Sequence, residues 1–475
     1  FRQNINKVAN FFKKMGVHKG DNVALLIGNR PEILELIFGI VKMGACVVPL
    51  SGLLTKEQIT VLVNNSDAKL FIVDNDLIDL VTSDLSQFKN IDEGKLLLLG
   101  GELDCWEKIS SEEKDYGFDY NCKPEDNFNI IYSSGTTGVP KGIVQTHRAR
   151  SHWATSNAIE MSFNSECKSL TTTALYSNGT WLMMLPTLFV GGTLHVMTGF
   201  DPKAFVDLVR REEITHTFLV PPQFSAILSL ENLEKDSFNS LKTILSAGSP
   251  LRLDVKENIL TNMSENLFEL YGFSEGFATM LKPHDQRKKF GSVGTPVLGF
   301  EIKIIDEKGN ECSPNVAGEI AGYGAGMMKE YYSEVELTNS LIWTDNRGRS
   351  FIKSGDIGSL DEDGFLTILD RKKDMIISGG LNVFPVDIEE VVGKHPDIVD
   401  VTVIGVPHEK WGETCVALII PKDGLEIDCD EIKNWSNKKL AKHQRLYKVE
   451  TRVEFPRNAL GKVLKRVLRE PYWSH

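Results

Sequence analysis

A short loop in the first third of the chain combines glycines, hydroxyl side chains and one lysine. Residues 132–142 read YSSGTTGVPKG. Gly135 and Gly138 allow the backbone to approach an anion closely, because they lack a Cβ atom. Lys141 adds a positive charge. Four hydroxyl side chains can donate hydrogen bonds, namely Ser133, Ser134, Thr136 and Thr137. This composition predicts a loop that binds phosphate.

The P-loop of nucleoside triphosphatases is the first alternative for this segment, and the sequence excludes it. That loop requires Gly-Lys followed by Ser or Thr, with a helix directly behind it. Here Pro140 precedes Lys141, Gly142 follows it, and the continuation is typical of a strand. We therefore expect a strand over 128–132, the loop, and a second strand over 142–145.

The loop resembles the signature loop of the adenylate-forming enzymes, which include acyl-CoA synthetases, firefly luciferase and peptide-synthetase adenylation domains. Later segments resemble other motifs of this superfamily and follow in the same order. They are SAGSPL at 246–251, LYGFSEG at 270–276, the long segment from KSGDIG to FPVDIEE at 353–390, and PRNALGKVLKR at 456–466. Within the superfamily, the sequence is most similar to AMP-forming fatty-acid or aryl-acid CoA ligases.

The resemblance implies a two-step reaction with ATP, Mg²⁺ and coenzyme A. In the first step a carboxylic acid and ATP give an acyl-adenylate and pyrophosphate. In the second step a thiol, usually that of coenzyme A, displaces AMP. A carboxylate is a poor electrophile, and adenylation supplies it with a good leaving group. Since charge develops on the α-phosphate, cations and amide donors must be in place around it.

The resemblance also implies an ATP site assembled from several segments. Its residues would be Ser133, Ser134, Gly135, Thr136, Thr137, Gly138, Lys141, Ala247, Gly248, Ser249, Tyr271, Gly272, Ser274, Asp356 and Arg371. Tyr271 would pack against adenine, and Asp356 would accept hydrogen bonds from both ribose hydroxyls. Arg371 would reach the ribose or the α-phosphate. Ser274 stands where the family usually has Thr, which keeps the hydroxyl. The residues implied to face the β- and γ-phosphates are Thr136, Thr137, Gly138 and Lys141.

Three residues are implied to act in catalysis, and they are Lys462, Glu275 and Thr136. Glu275 would bind Mg²⁺, a hard cation that takes carboxylate oxygen and bridges phosphates. Lys462 would contact the substrate carboxylate and the bridging oxygen during adenylation. Lys373 lies at the implied hinge, where the C-terminal domain rotates between the half-reactions. The path of coenzyme A would be lined by Ser378, Gly379 and Gly380.

The acyl pocket implied by the resemblance contains Tyr176, Ser177, Trp181, Val220, Gly272 and Phe273. Ser177 stands where amino-acid-activating members carry Asp, and burying an unpaired substrate ammonium is costly. Gly272 replaces the bulky residue that shortens the pocket in acetate-type members, and Leu270 is apolar. These residues predict a hydrophobic monocarboxylic acid: a medium- or long-chain fatty acid first, an aryl acid such as a hydroxycinnamate second. Tyr176 and Trp181 are either pocket walls or core aromatics.

Two other functions stay open at this point. The first is an enzyme that makes the same acyl-adenylate but transfers the acyl group to a carrier-protein thiol or to oxygen. The second is a non-catalytic nucleotide-binding scaffold. The complete set of motif residues speaks against the scaffold, because a decayed enzyme tends to lose such groups.

The elements around these motifs alternate between strands and helices. Pro31 and Gly44 bound a predicted helix whose apolar residues share one face, and Asp201 is a predicted N-cap. Such alternation indicates βαβ units and a largely parallel sheet. From about Gly291, short strands and Gly-rich turns predict a small β-rich module. Predicted strands cover 21–29, 45–50, 69–74, 191–197 and 215–222, and predicted helices cover 31–44 and 201–213.

We therefore predict an α/β protein of two domains. The large N-terminal domain, 1–370, would contain two α/β subdomains and the β-rich module and would bind ATP and the acid. The smaller α+β domain, 371–475, would be mobile. A chain of 475 residues is too long for one core. Because the chain opens inside an amphipathic helical pattern without Met, we also expect that a native N-terminal edge is missing.

The composition of the chain limits its possible binding partners and indicates its cellular compartment. The formal net charge of -12 argues against binding to nucleic acid or to anionic membrane. No apolar run approaches the roughly 18 residues needed to span a bilayer, and the longest, LLLL at 96–99, predicts a buried strand. The seven scattered cysteines are typical of reduced cytoplasmic thiols. We expect a cytoplasmic monomer or homodimer that binds a small-molecule acid, ATP and coenzyme A.

Overall fold

The strands of the described residues form four sheets, on which the helices pack. The computed structural model describes residues 1–101, 104–111, 122–133, 141–371, 374–378, 381–422, 424–425, 427–457 and 462–473. The first two sheets have seven strands each and correspond to the predicted α/β subdomains. The third sheet is the predicted β-rich module, and the fourth belongs to the C-terminal part.

The first sheet contains β5 and β6, the strands on either side of the predicted phosphate-binding loop. Its strands are β1 Asn22–Leu26, β2 Cys46–Pro49, β3 Leu70–Asp74, β4 Leu96–Leu99, β5 Asn127–Ser133 and β6 Lys141–Thr146, with a further strand at Glu330–Tyr331. The helices of this part are α1 Arg2–Lys14, α2 Pro31–Lys42, α3 Lys56–Asn65, α4 Cys105–Ser110, α5 His147–Glu160 and α6 Trp181–Val190. β1 pairs in parallel with β2 and β3, and all their residues are buried. Helices cover both faces of the sheet, which explains the continuous apolar runs of these strands.

The predicted run at 96–99 does form a strand, but only Leu99 of it is buried. The prediction of a buried strand was wrong for its first three residues, because β4 is an edge strand of the sheet. The helix predicted to begin at Pro31 is confirmed as α2.

The second sheet lies beside the first, with α5 and α6 between them, since buried residues of both helices belong to the apolar cores of both sheets. Its strands are β7 Lys168–Thr171, β8 Thr193–Val196, β9 His216–Leu219, β10 Thr243–Ser246, β11 Leu267–Gly272, β12 Ala278–Leu281 and β13 Thr295–Pro296. Its helices are α7 Pro202–Glu212, α8 Pro221–Leu228 and α9 Leu253–Asn262. The Asp201 side chain accepts a hydrogen bond from the Ala204 amide at 2.7 Å, which confirms the predicted N-cap. The strand predicted over 215–222 is shorter, because Pro221 and Pro222 begin α8.

The remaining sheets are smaller. The third contains β14 Phe300–Ile305, β15 Gly318–Gly324, β17 Ile342–Thr344, β18 Ser350–Leu360 and β19 Leu366–Arg371, while β16, Glu330–Tyr331, joins the first sheet beside β6. The fourth contains β20 Ile376–Ser378, β21 Leu381–Val383, β22 Ile398–His408, β23 Gly412–Pro421 and β24 Leu446–Thr451. The helices of these parts are α10 Val335–Ser340, α11 Pro385–Val392, α12 Cys429–Asn437 and α13 Lys465–Trp473.

The sequence also led to predictions about membrane-spanning segments and about the cysteines. Of the helices that the structure describes, none is long and apolar enough to cross a membrane. All seven cysteines are free thiols.

Candidate ATP and acyl site

The β5–β6 hairpin presents the predicted phosphate-binding loop. The two predicted strands are confirmed, and Ser133 and Lys141 form the last antiparallel pair before the loop. The Lys141 Nζ lies 5.1 Å from the centre of the Tyr331 ring. Because Tyr331 is on β16, which pairs with β6, this contact follows from strand order. The loop residues Ser134, Gly135, Thr136, Thr137 and Gly138 lie outside the described residues.

Glu275 also contacts Tyr331. The Tyr331 hydroxyl donates a hydrogen bond to Glu275 Oε1 at 2.7 Å, and the Met328 amide donates to the Glu275 carbonyl at 2.8 Å. Burial, together with the nearby carboxylate, raises the pKa of Tyr331, so the phenol keeps its proton and acts as a donor. These contacts orient one carboxylate oxygen of Glu275.

The carboxyl group of Glu275 fits a Mg²⁺ ion that is held mainly by substrate. Mg²⁺ commonly uses one or two carboxylates, substrate phosphates and water. Over the described part of the chain, no group of three His, Cys, Asp or Glu side chains could hold a metal by itself. A metal at Glu275 would therefore depend on the phosphates of ATP.

Two side-chain amides donate hydrogen bonds to Ser274, the residue before Glu275. Gln145 Nε2 on β6 donates to the Ser274 carbonyl oxygen at 2.8 Å. Asn178 Nδ2 donates to the Ser274 hydroxyl oxygen at 3.3 Å. The amide oxygens of Gln145 and Asn178 are buried and find no hydrogen-bond partner within the described ranges. Sequence reasoning missed both residues as well as Tyr331. The only signal was that Asn178 follows Ser177 in the implied acyl segment.

Tyr271 and Asp356, two residues of the implied nucleotide site, contact each other directly. The Tyr271 hydroxyl donates to Asp356 Oδ2 at 2.7 Å. Asp356 is 8% exposed, and its amide donates to the Ser354 hydroxyl oxygen at 3.0 Å. Asp356 on β18 also pairs with Arg371 on β19, which brings the backbones of two predicted site residues together.

The predicted adenine loop follows β10, next to the strand that carries Tyr271. β10 and β11 are parallel neighbours, so the carboxyl ends of these two strands lie at the same edge of the second sheet. Ala247 is buried, Gly248 is exposed and Ser249 is half-buried. Gly248 has a φ of +93°, in the left-handed region that favours glycine. The edge of the sheet therefore brings the loop and Tyr271 together.

The structure shows a steric reason for the glycine at position 272. A Cβ atom on Gly272 would lie 2.9 Å from the Phe277 carbonyl oxygen and 3.1 Å from the Ala278 Cβ. Gly272 pairs with Ala278 across β11 and β12. The close approach of β12 therefore accounts for this glycine, and the inference from Gly272 to a longer acyl pocket loses its support.

Trp181 is a core residue, which favours the second of its two interpretations. It is 1% exposed and packs in the core of the first sheet. Its indole Nε1–H donates to the Leu175 carbonyl at 2.8 Å, and the Arg150 guanidinium lies 4.5 Å from its ring. A side chain so enclosed does not form the wall of an open pocket.

The other implied acyl residues lie near the carboxyl edge of the second sheet. Tyr176 and Ser177 are half-buried, and burial raises the pKa of Tyr176. Val220 is buried in one apolar cluster with Leu270. Phe273 packs edge-to-face on Phe277, with ring centres 5.0 Å apart, against the third sheet.

The C-terminal candidates belong to the fourth sheet and its surroundings. Lys462 is half-buried and precedes Val463, which forms an isolated bridge with Arg457. Ser378 is half-buried on β20. The predicted hinge Lys373 and the predicted coenzyme A residues Gly379 and Gly380 lie outside the described residues.

Family models match both parts of the chain. Residues 1–332 match the model of AMP-binding enzymes, and residues 387–462 match that of the AMP-binding enzyme C-terminal domain. This chain belongs to the AMP-binding enzymes. The resemblance to adenylate-forming enzymes is thereby confirmed, and with it the prediction of an AMP-forming acid–thiol ligase.

Individual relatives cover nearly the whole chain. A feruloyl-CoA synthase of an Amycolatopsis species is 31% identical, over 98% of this chain and 92% of the relative. A 2-succinylbenzoate–CoA ligase of Geobacillus kaustophilus is 32% identical, over 96% of this chain and 88% of the relative. The crystal structure of ATP-bound MatB from Rhodopseudomonas palustris superposes with a TM-score of 0.91 at 27% identity, covering 99% and 92% of the two chains. This similarity confirms the predicted α/β fold with a large N-terminal and a smaller C-terminal part.

Proposed function

We propose that this adenylate-forming ligase activates a hydrophobic monocarboxylic acid and transfers its acyl group to coenzyme A. The observation that carries the proposal is the lack of charge in the implied acyl segments. Across 175–181, 220–223, 246–248 and 270–277, Glu275 is the only acidic or basic side chain. A second charge on the acid would be buried there without a partner, which is costly. A medium- or long-chain fatty acid is the first candidate.

An aryl acid is the second candidate. It gains support from the relative named feruloyl-CoA synthase, which is 31% identical over 98% of this chain. The close approach of β12 also explains the glycine at position 272, so Gly272 gives less support to a long acyl chain. Transfer to a carrier-protein thiol is the alternative for the second step.

The implied roles of the nucleotide residues form part of the proposal. Asp356, held by Tyr271, would accept hydrogen bonds from the ribose hydroxyls. Glu275, oriented by Tyr331, would bind Mg²⁺ together with the phosphates. Lys462 would act in adenylation, in a mobile C-terminal domain over 371–475 that follows an N-terminal domain over 1–370. We also propose a cytoplasmic monomer or homodimer.

Acid-dependent AMP release tests the proposed substrate class. The protein is incubated with ATP, Mg²⁺ and one acid at a time, with and without coenzyme A, and AMP is quantified by chromatography. The panel contains saturated fatty acids of increasing length, hydroxycinnamates and dicarboxylates. We expect release with hydrophobic monocarboxylates and stimulation by coenzyme A. Release with dicarboxylates alone would overturn the proposed acid, and release indifferent to coenzyme A for every acid would indicate another acceptor.

Lys462→Ala tests the assignment of this lysine to the first step. Removing a preorganised contact to the transition state should lower adenylation by roughly 10²–10³-fold. Formation of the thioester from supplied acyl-adenylate and coenzyme A should be retained. Lys438→Ala, at an exposed lysine of the same part of the chain, is the matched control. An equal loss in both steps would contradict a role limited to adenylation.

A further inference from the structure

The amide of Asn178 makes a contact that the family resemblance did not supply. Asn178 Nδ2 donates to the hydroxyl oxygen of Ser274, and Gln145 Nε2 donates to the carbonyl of the same residue. Asn178 lies 96 residues and Gln145 129 residues from Ser274 along the chain. Ser274 is therefore held from two separate elements, immediately before Glu275.

A serine at this position has a specific weakness that the amide removes. The threonine usual in the family is β-branched, so its χ1 angle is restricted by the second substituent on Cβ. Serine lacks that substituent, and its hydroxyl samples more orientations. A hydrogen bond from Asn178 to Ser274 Oγ selects among these orientations without the extra methyl group.

The direction of this hydrogen bond decides what the hydroxyl can do. A serine hydroxyl has one hydrogen to donate and two lone pairs that accept. When Asn178 Nδ2 donates to Ser274 Oγ, one lone pair is occupied and the hydroxyl hydrogen stays available for another acceptor. A phosphate oxygen of the bound nucleotide is an acceptor of this kind.

We propose that Asn178 is a positioning residue of the AMP-forming reaction, which fixes the Ser274 hydroxyl as a donor to a phosphate oxygen of the nucleotide. The inference rests on the implied nucleotide role of Ser274, but not on the identity of the acid. The Asn178 Oδ1 atom is buried and has no donor among the described residues.

Calorimetric binding of AMP to the full chain tests the inference without a choice of acid. Asn178→Ala should raise the Kd for AMP about 10-fold, the effect of one hydrogen bond to a charged group. Asn178→Asp keeps the size of the side chain but removes both N–H donors, so it should weaken binding at least as much. Ser274→Thr in the Asn178→Ala background should restore most of the affinity, since threonine holds its own rotamer. Asn262→Ala, at an exposed asparagine, is the matched control and should change nothing.

The outcomes separate this inference from the proposed substrate. Unchanged AMP affinity in Asn178→Ala would overturn the inference, even if hydrophobic acids are activated. Full affinity in Asn178→Asp would also overturn it, because the hydroxyl would then donate to residue 178 instead of to the nucleotide. A loss of AMP affinity in Asn178→Ala that Ser274→Thr does not restore would contradict the positioning role and leave Asn178 with a purely structural one. Failure of every hydrophobic acid to release AMP would refute the proposed acid and leave the AMP measurement valid.

Discussion

Glu269 is a largely buried carboxyl group close to the candidate nucleotide site, and its titration predicts how the stability of the protein depends on pH. It lies on β11 two residues before Tyr271, and its side chain is 13% exposed. The Lys256 Nζ is 3.8 Å from Glu269 Oε2 but donates its hydrogen bond at 2.7 Å to the Phe290 carbonyl. Glu269 Oε2 has no hydrogen-bond partner in the described structure. Burial raises the pKa of Glu269 from 4.5 to about 7, and Lys256 offsets only part of this effect.

The sign of the effect follows from proton binding. Between pH 4.5 and about 7 the folded protein holds this proton more tightly than the unfolded chain does. The group therefore stabilises the fold at low pH, and that contribution is lost as the pH rises through the folded pKa. Relative to a side chain that stays neutral, Glu269 lowers the free energy of unfolding by about 1 kcal/mol at pH 5 and by about 3 kcal/mol at pH 8.

Glu269→Gln tests this reasoning, because glutamine keeps the shape and removes the titration. Thermal and urea unfolding of both variants are compared at pH 5, 6, 7 and 8, and the difference in unfolding free energy is the measured quantity. We expect Glu269→Gln to become increasingly more stable than the original protein as the pH rises. Glu231→Gln, at an exposed glutamate, should give no such trend. A difference that does not change with pH would refute the argument.

Three further predictions concern single side chains at or near the site. Tyr271→Phe removes the hydrogen bond to Asp356 and should raise the KM for ATP about 10-fold, as expected for a bond to a charged acceptor. Steady-state kinetics with varied ATP would detect this increase. An unchanged KM would contradict a nucleotide role for this pair. Tyr331→Phe removes the hydrogen bond to Glu275 Oε1 and should raise the half-saturating Mg²⁺ concentration about threefold to tenfold. A titration of AMP release with Mg²⁺ measures this change. A shift in ATP affinity alone would argue against metal binding at Glu275. Trp181→Ala should lower the free energy of unfolding by about 3–5 kcal/mol, as for other buried aromatic truncations, whereas Trp411→Ala, at an exposed tryptophan, should have little effect. Altered acid preference at unchanged stability would show that Trp181 is a pocket wall after all.

Much of the fold could be predicted from local signals. The helix after Pro31 and the N-cap at Asp201 were visible because capping and apolar periodicity act within a few residues. The β5–β6 hairpin around the loop was visible for the same reason. Local signals failed at Pro221, where prolines predicted the end of a strand and also begin a helix, and at 96–99, where position at the sheet edge decides burial.

The candidate site could be predicted where a motif carried it and not where neighbours complete it. Tyr271, Glu275 and Asp356 stand in motifs that the sequence displays. Their partners do not, because Tyr331 reaches Glu275 from β16, a strand of another part of the chain. Neither the burial of Trp181 nor the contact of Gly272 with β12 has a signature in the surrounding residues.

The sequence by itself determined the family, the two-step chemistry and the residues that the motifs contain, because the order and spacing of those motifs are properties of the chain. The tertiary structure decided which amides hold Ser274, which hydroxyl orients Glu275 and why residue 272 is glycine. These contacts join strands and loops that are far apart in sequence, so they depend on the order of strands in the sheets. Strand order is set by the packing of the whole protein, and no short segment encodes it.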